Sequence, residues 1–178
     1  KSKNFNVLVA AHCFSDAVHI HGKDRIFVDH FDWINFLGKV SLKTDYRWLI
    51  KLHPSQYDNN FEKMNDLIKN YPNLQLLPKE TKTLDLLKKI NCALTVHGTV
   101  AREYPLFNIP VLNASHDGPY VGYNFSHSFK SLKKYKNALM NLKKFKVNKK
   151  ELNKIYEQYS VKYCLHYHFM GFEKHMSL

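Results

Sequence analysis

Short apolar runs alternate with amphipathic stretches through roughly the first 115 residues. Residues 6–11 (Asn-Val-Leu-Val-Ala-Ala), 46–52 (Tyr-Arg-Trp-Leu-Ile-Lys-Leu), 74–77, 92–96 and 111–114 are too short for helices, and they lack the strict polar alternation of a half-exposed strand. That is the pattern of strands covered on both faces of a parallel sheet. Between them apolar positions recur at helical spacing. Phe27, Phe31, Ile34, Phe36, Leu37 and Val40, with Trp33 among them, predict a packing helix over 27–42. Phe61, Met64, Leu67 and Ile68 line a second over 55–71, and Leu84, Leu86 and Leu87 a third over 83–90. Proline or Pro-Asn at 54, 72–73, 78 and 110 punctuates the runs, because proline removes a ladder donor and drives the residue before it out of the α region. The order is βαβαβαβαβ with short connections, which predicts an α/β fold built on a doubly wound parallel sheet.

The pattern changes after a loop at 116–125 that is rich in Gly, Asn, Tyr and His. Two lysine- and tyrosine-rich helical stretches follow, over 126–145 and 149–169. Leu132, Tyr135, Leu139, Leu142 and Phe145 form one apolar face, and Leu152, Ile155, Tyr156, Tyr159 and Tyr163 the other. The expected organisation is a sheet domain over 1–125 with the helices of 126–178 packed on it, and the 178 residues suffice for one such core. A net charge of +12 favours acidic partners. The lysines of the terminal helices read more simply as a solvated face than as a polyanion site. No apolar run approaches the roughly 20 residues that span a bilayer, and no signal-peptide pattern opens the chain, so the expected location is cytoplasmic. The chain starts at Lys1 and enters its first strand almost at once, which leads us to expect a domain cut from a longer protein with a partner domain upstream. Cys13, Cys92 and Cys164 show no paired spacing, so reduced thiols are expected rather than disulfides or a cysteine-based zinc site.

Candidate chemistry gathers at the ends of the apolar runs. In open α/β sheets ligands bind beyond the carboxyl ends of the strands. The first run exits into His12-Cys13-Phe14-Ser15-Asp16, where His12, Ser15 and Asp16 are candidates, or where Ser15 or Asp16 simply caps a helix. The second exits into His53-Pro54, which fixes an imidazole at a strand end. The fourth exits into His97-Gly98-Thr99-Val100-Ala101-Arg102-Glu103. There a glycine allows close approach of a ligand, and a Thr at a helix start offers N–H groups to an anion. An ordinary strand-to-helix connection accounts for the same residues. A hydrolytic triad of His12, Ser15 and Asp16 is discounted, because residues so close in sequence rarely reach triad geometry and no Gly-x-Ser-x-Gly elbow exists. The pairs His19/His21 and His166/His168 lack supporting ligand spacing, so no metal is expected. The first turn has no glycine, which excludes a dinucleotide fingerprint.

Taken in order, Trp48-Leu49-Ile50-Lys51-Leu52-His53-Pro54, the Leu-Leu-Pro at 76–78, Leu94-Thr95-Val96-His97-Gly98-Thr99-Val100-Ala101-Arg102-Glu103 and Ile109-Pro110-Val111-Leu112-Asn113 resemble bacterial capsule polysaccharide biosynthesis glycosyltransferases. The resemblance covers about residues 6–114. It implies the C-terminal, donor-binding half of a GT-B architecture, a Rossmann-like domain that holds an activated sugar. The implied substrate is a CMP- or UDP-linked sugar, with no further cofactor and no metal. His53 of the His53-Pro54 pair would lie beside phosphate or ribose, Gly98 and Thr99 would receive the phosphates, and Glu103 would accept from ribose hydroxyls. His97 or Arg102 would offset charge on the leaving nucleotide, and Asn113 belongs to the same donor-binding set. Glycosyl transfer places negative charge on the departing phosphate, so such a site needs cations and aligned donors more than a nucleophile. His12 or Asp16 is the candidate general base. Implied partners are a glycan or lipid-linked acceptor, the upstream domain and the inner face of the cytoplasmic membrane, but not nucleic acid. One departure is Tyr104-Pro105, which is expected to shorten or kink the helix that carries Glu103. A nucleotide-sugar epimerase and a non-catalytic polyanion-binding module are the competing readings.

Overall fold

The structure, a computed structural model, describes residues 5–12, 26–53, 57–116, 120, 122–161 and 163. Its frame is a six-stranded, wholly parallel sheet in the order β3-β2-β1-β4-β5-β6. The strands are β1 (Asn6–Ala10), β2 (Arg47–Lys51), β3 (Leu74–Leu76), β4 (Cys92–Thr95), β5 (Val111–Asn113) and β6 (His127–Ser128). Order is gained outward from β1 to β3, and the chain then crosses back to lay β4 on the other side of β1. This is the doubly wound, Rossmann-like arrangement expected from the alternating pattern.

Alternation along each strand sorts the core into two layers. Val7, Val9, Trp48, Ile50, Cys92, Leu94 and Leu112 face one side, where they meet α1 (His30–Ser41), α2 (Tyr57–Ile68) and α5 (Leu132–Leu139) through Trp33, Ile34, Leu37, Met64, Leu67, Tyr135 and Leu139. Leu8, Leu49, Ala93 and Val111 face the other side. They meet α3 (Thr83–Leu87), α4 (Val100–Glu103) and α6 (Leu152–Ser160) through Leu86, Ala101 and Ile155. Cover on both faces is why these strands read as unbroken apolar runs. The buried indole of Trp33 donates to the Tyr135 hydroxyl at 3.1 Å, joining α1 to α5, and burial raises the pKa of that phenol. Burial likewise pushes the Cys92 thiol far above its ordinary range, which leaves it a packing group rather than a nucleophile.

Several expectations are corrected. The helix read over 126–145 begins instead with β6, and α5 starts only at Leu132, where the Ser131 side chain accepts from the Lys134 N–H at 3.2 Å. What holds β6 is tertiary: the Asn113 side-chain amide donates to Ser126 Oγ at 2.9 Å and Ser128 Oγ at 3.0 Å. Phe31, Phe61, Leu84, Leu132, Tyr156, Tyr159 and Tyr163, placed on inner faces by spacing, are exposed, and the most fully buried aromatics are Trp33, Trp48, Tyr135 and Phe125. The α-helical part of the second terminal helix runs over Leu152–Ser160 and continues as π-helix at 161 and 163, and its expected extension over 164–169 lies outside the described residues. No helix among the described residues is long and apolar enough to cross a membrane.

Gly38 shows how tightly α1 is seated. A Cβ there would stand 2.6 Å from Tyr71 Cγ, and that ring is itself buried and held through its hydroxyl to the Asn35 side chain. Gly38→Ala should therefore overpack the layer and cost about 1–3 kcal/mol despite alanine's better helix propensity. Urea denaturation checks the sign: stabilisation would show that the ring moves aside freely.

Candidate functional site

In open α/β sheets ligands bind where the strand order reverses, which here is between β1 and β4. Both strands end there in polar residues. His12 follows β1 after Ala11, whose N–H still pairs with the Lys51 carbonyl at 3.0 Å and keeps the exit in register. Val96, His97 and Gly98 follow β4.

Side chain and backbone interlock across the reversal. The Gly98 N–H donates to Thr95 Oγ1 at 3.1 Å, and Thr95 Oγ1 lies 2.9 Å from His12 Nε2. The N–H groups of Val96 and His97 also point at Nε2, at 3.3 and 3.4 Å. A nitrogen that receives two amide donors is the lone-pair side of a neutral imidazole, so the network assigns the ring proton to Nδ1 and has the Thr95 hydroxyl donate to Nε2. In this tautomer the proton of His12 resides on Nδ1. The glycine is required by space: a Cβ on Gly98 would stand 2.8 Å from Thr95 Oγ1 and 3.3 Å from His12 Cε1.

A third histidine completes the group. His30, the first residue of α1, is 5% exposed and lies almost parallel to His12, with ring centroids 4.7 Å apart and 14° between planes. His97 lies 4.4 Å from His12 and 5.8 Å from His30. Asp29 caps this helix start by accepting the Asp32 N–H at 2.6 Å. Nothing in the spacing of 12, 30 and 97 reveals this trio. His30 reads as one more polar position at the start of an amphipathic helix, and only the docking of α1 beside β1 brings it in.

The other sequence-predicted residues are distributed as follows. Asp16, Ser15 and Pro54 lie outside the described residues. His53 sits exposed just past β2, at the same carboxyl edge of the sheet. Lys51, at the end of β2, reaches the Thr81 carbonyl at 2.9 Å, and burial lowers its pKa. Thr99 is exposed and stands at the N-cap of α4, as read from the sequence, with no side-chain cap hydrogen bond. Glu103 is exposed at the end of α4, where the chain tightens at once into a 3-10 turn over Tyr104–Phe107, as Tyr104-Pro105 predicts. Asn108 ends that turn in the left-handed region at φ 60°, which Asn tolerates better than most residues. Asn113 is buried and spends its amide N–H groups on Ser126 and Ser128.

Arg102 points the other way. Its side chain is 3% exposed and turns toward α6, donating to Gln158 Oε1 at 3.1 Å and to the Tyr163 hydroxyl at 3.0 Å. The guanidinium also stacks over the rings of Tyr159 and Tyr163, at 4.8 and 5.3 Å. Burial opposes its charge, but the Tyr163 hydrogen bond and nearby Tyr120, Tyr163 and Glu103 outweigh that, so its pKa lies above the ordinary value. This cation holds helices together instead of projecting beyond the strand ends.

No protein-family model and no curated protein matches the chain. Solved structures do. A histidine-to-asparagine variant of the wall teichoic acid polymerase TagF aligns with a TM-score of 0.55 and 17% identity, over 90% of this chain and 39% of that one. Such a variant soaked with CDPG aligns at 0.53 and 14%, over 90% and 37%. UDP-GlcNAc 2-epimerase from Neisseria meningitidis, bound to UDP-GlcNAc, aligns at 0.42 and 20%, over 64% and 27%. At these identities the likeness to TagF is one of fold, and the chain spans about two fifths of the TagF chain.

The placement of Arg102 yields a direct expectation. Arg102→Ala should remove two charge-assisted hydrogen bonds and a ring stack, costing about 2–4 kcal/mol. Amide hydrogen exchange should then accelerate first in α6, ahead of the sheet. Uniform acceleration throughout would mean that the residue does not act as a clamp on that helix.

Proposed function

We propose that the chain is the nucleotide-sugar-binding domain of a glycosyltransferase, which passes a sugar from a CMP- or UDP-linked donor to a growing surface glycan. The observation that carries the reading is the gathering of His12, His97 and the Gly98 turn beyond the ends of β1 and β4, where the strand order reverses. Its fold likeness to a polymerase solved with CDPG supports a cytidine-type or related nucleotide. The chain spans about two fifths of TagF, and in this reading the acceptor side of the reaction is carried outside these residues.

In this mechanism the departing nucleotide phosphate gathers negative charge as the sugar–oxygen bond breaks, and fixed donors aimed at it lower the barrier. His12 donates through Nδ1–H, since Nε2 is committed to Thr95 and the two amides. Thr99 adds an exposed hydroxyl, and His97 adds an imidazole beside His12. His53 and Glu103, both exposed, bracket the nucleoside from the neighbouring strand exit and from α4. Asp16 or a group of the upstream domain removes the acceptor's proton, because His12 in this tautomer has no lone pair left to offer. Arg102 acts only by holding α4 in place. Exposed lysines on and after α5, among them Lys133, Lys134, Lys136 and Lys144, give the domain a cationic flank suited to the anionic inner face of the cytoplasmic membrane.

Thermal unfolding in the presence of cytidine and uridine nucleotides tests this. A productive ligand at 100 times its dissociation constant should add about 2.7 kcal/mol of stability. His97→Ala and Thr99→Ala should erase most of the shift, while Lys133→Ala should leave it. If no pyrimidine nucleotide raises the melting temperature of the folded chain, the donor site is misassigned.

A further inference from the structure

We propose that His12, His30 and His97 form a binding site for a divalent transition metal of the zinc type. One ring nitrogen from each lies within 4.8 Å of the others. The three come from separate elements, the exit of β1, the start of α1 and the exit of β4, so the folded chain gathers what the sequence scatters. Imidazole nitrogens suit zinc, nickel, cobalt and copper and are poor ligands for magnesium or calcium, which sets the chemical class.

The geometry asks for an adjustment. Metal–nitrogen bonds of about 2.0–2.1 Å put tetrahedral ligand atoms about 3.4 Å apart, so nitrogens now within 4.8 Å of one another close by at most about 1.4 Å. The rings of His12 and His30 are stacked, so their in-plane lone pairs do not yet converge, and metal binding requires one of them to rotate out of the stack. Thr95 supplies the supporting contact that ligand histidines need. When Nδ1 of His12 takes the metal, its proton resides on Nε2 and is donated to Thr95 Oγ1, already 2.9 Å away, while the longer amide contacts are given up. Three neutral ligands leave the site with the metal's full double charge and a fourth position for an oxygen donor. Metal binding as such does not depend on the donor-site reading. If that reading holds as well, the bound metal takes the place of the His12 Nδ1–H donor and supplies the positive charge that Arg102, turned toward α6, does not.

The test uses the purified chain, stripped of metal and titrated with Zn²⁺ by calorimetry and with Co²⁺ by visible absorption. The expected result is one equivalent bound, with the intense bands of four-coordinate cobalt. His30→Ala should abolish the bands and lower affinity by more than tenfold, and Thr95→Val should weaken it by about tenfold. His30→Phe keeps a ring in the stack without a ligand atom and should behave as His30→Ala does, which guards against a variant that merely misfolds. Sub-stoichiometric binding, or binding unchanged in the folded His30 variants, overturns the site and moves any metal to other histidines. A metal response without a nucleotide response retains this site and removes the donor reading. A nucleotide response without stoichiometric metal does the reverse.

Discussion

The hydroxyl of Thr95 binds both sides of the crevice with one oxygen. It closes the turn after β4 by accepting the Gly98 N–H, and it meets His12 beyond the end of β1. Those strands are neighbours in the sheet although more than 80 residues separate the partners. At 1% exposure the oxygen has little access to solvent, so leaving either contact unmade would cost a desolvated polar group. The rest of the site follows from this pairing. It orients the imidazole, selects its tautomer, and demands a glycine at 98 because no Cβ fits between the partners. Helices leave β1 and β4 toward opposite faces, which opens a gap where a titratable group at the strand ends can meet a ligand.

Behind the crevice, α4 has only four residues before Pro105 ends it, and a helix that short has almost no stability of its own. It persists because Ala101 is buried against the sheet layer and because Arg102 is clamped by Gln158, Tyr159 and Tyr163 of the terminal segment. The proline that the sequence shows as a flaw in the helix and the tyrosines that read as a C-terminal apolar face are thus parts of one arrangement. The kink shortens α4, and α6 then supplies the support that a longer helix would have provided for itself.

Much of this was legible in the residues, and the boundary of legibility is physical. Strands buried on both faces leave apolar runs, so β1 to β5 and the parallel winding could be read with ends misplaced by a residue or so. Polar residues such as Lys51 at a run's end belong to the strand by hydrogen bonding, whereas Leu52 beside it does not. The two-residue β6 could not be read, because it exists through Asn113 reaching Ser126 and Ser128 rather than through any local preference. The strand exits were legible as places where polar side chains gather, and the structure groups His12 with residues 95–98 there. His30 was hidden by its own helix periodicity. Arg102 looked like a cation facing the turn because a single helical turn does not say which way a long side chain lies once a partner helix arrives.

The distribution of charge separates attraction from recognition. The net charge of +12 resides largely in lysines on exposed surfaces such as α5 and the turn after it, whereas the side chains gathered at the sheet reversal, among the described residues, are imidazoles and hydroxyls. At physiological salt, fields from exposed lysines decay over about 8 Å, so they raise the encounter rate with an anionic partner without fixing its pose. The histidines do the opposite. They are half-buried or buried, set by packing and a shared hydroxyl, and carry charge only when a proton or a metal ion is added to them. Under the proposed donor reading, salt should therefore act on arrival far more than on the bound geometry, and what completes the three imidazoles would set how strongly an anion is held.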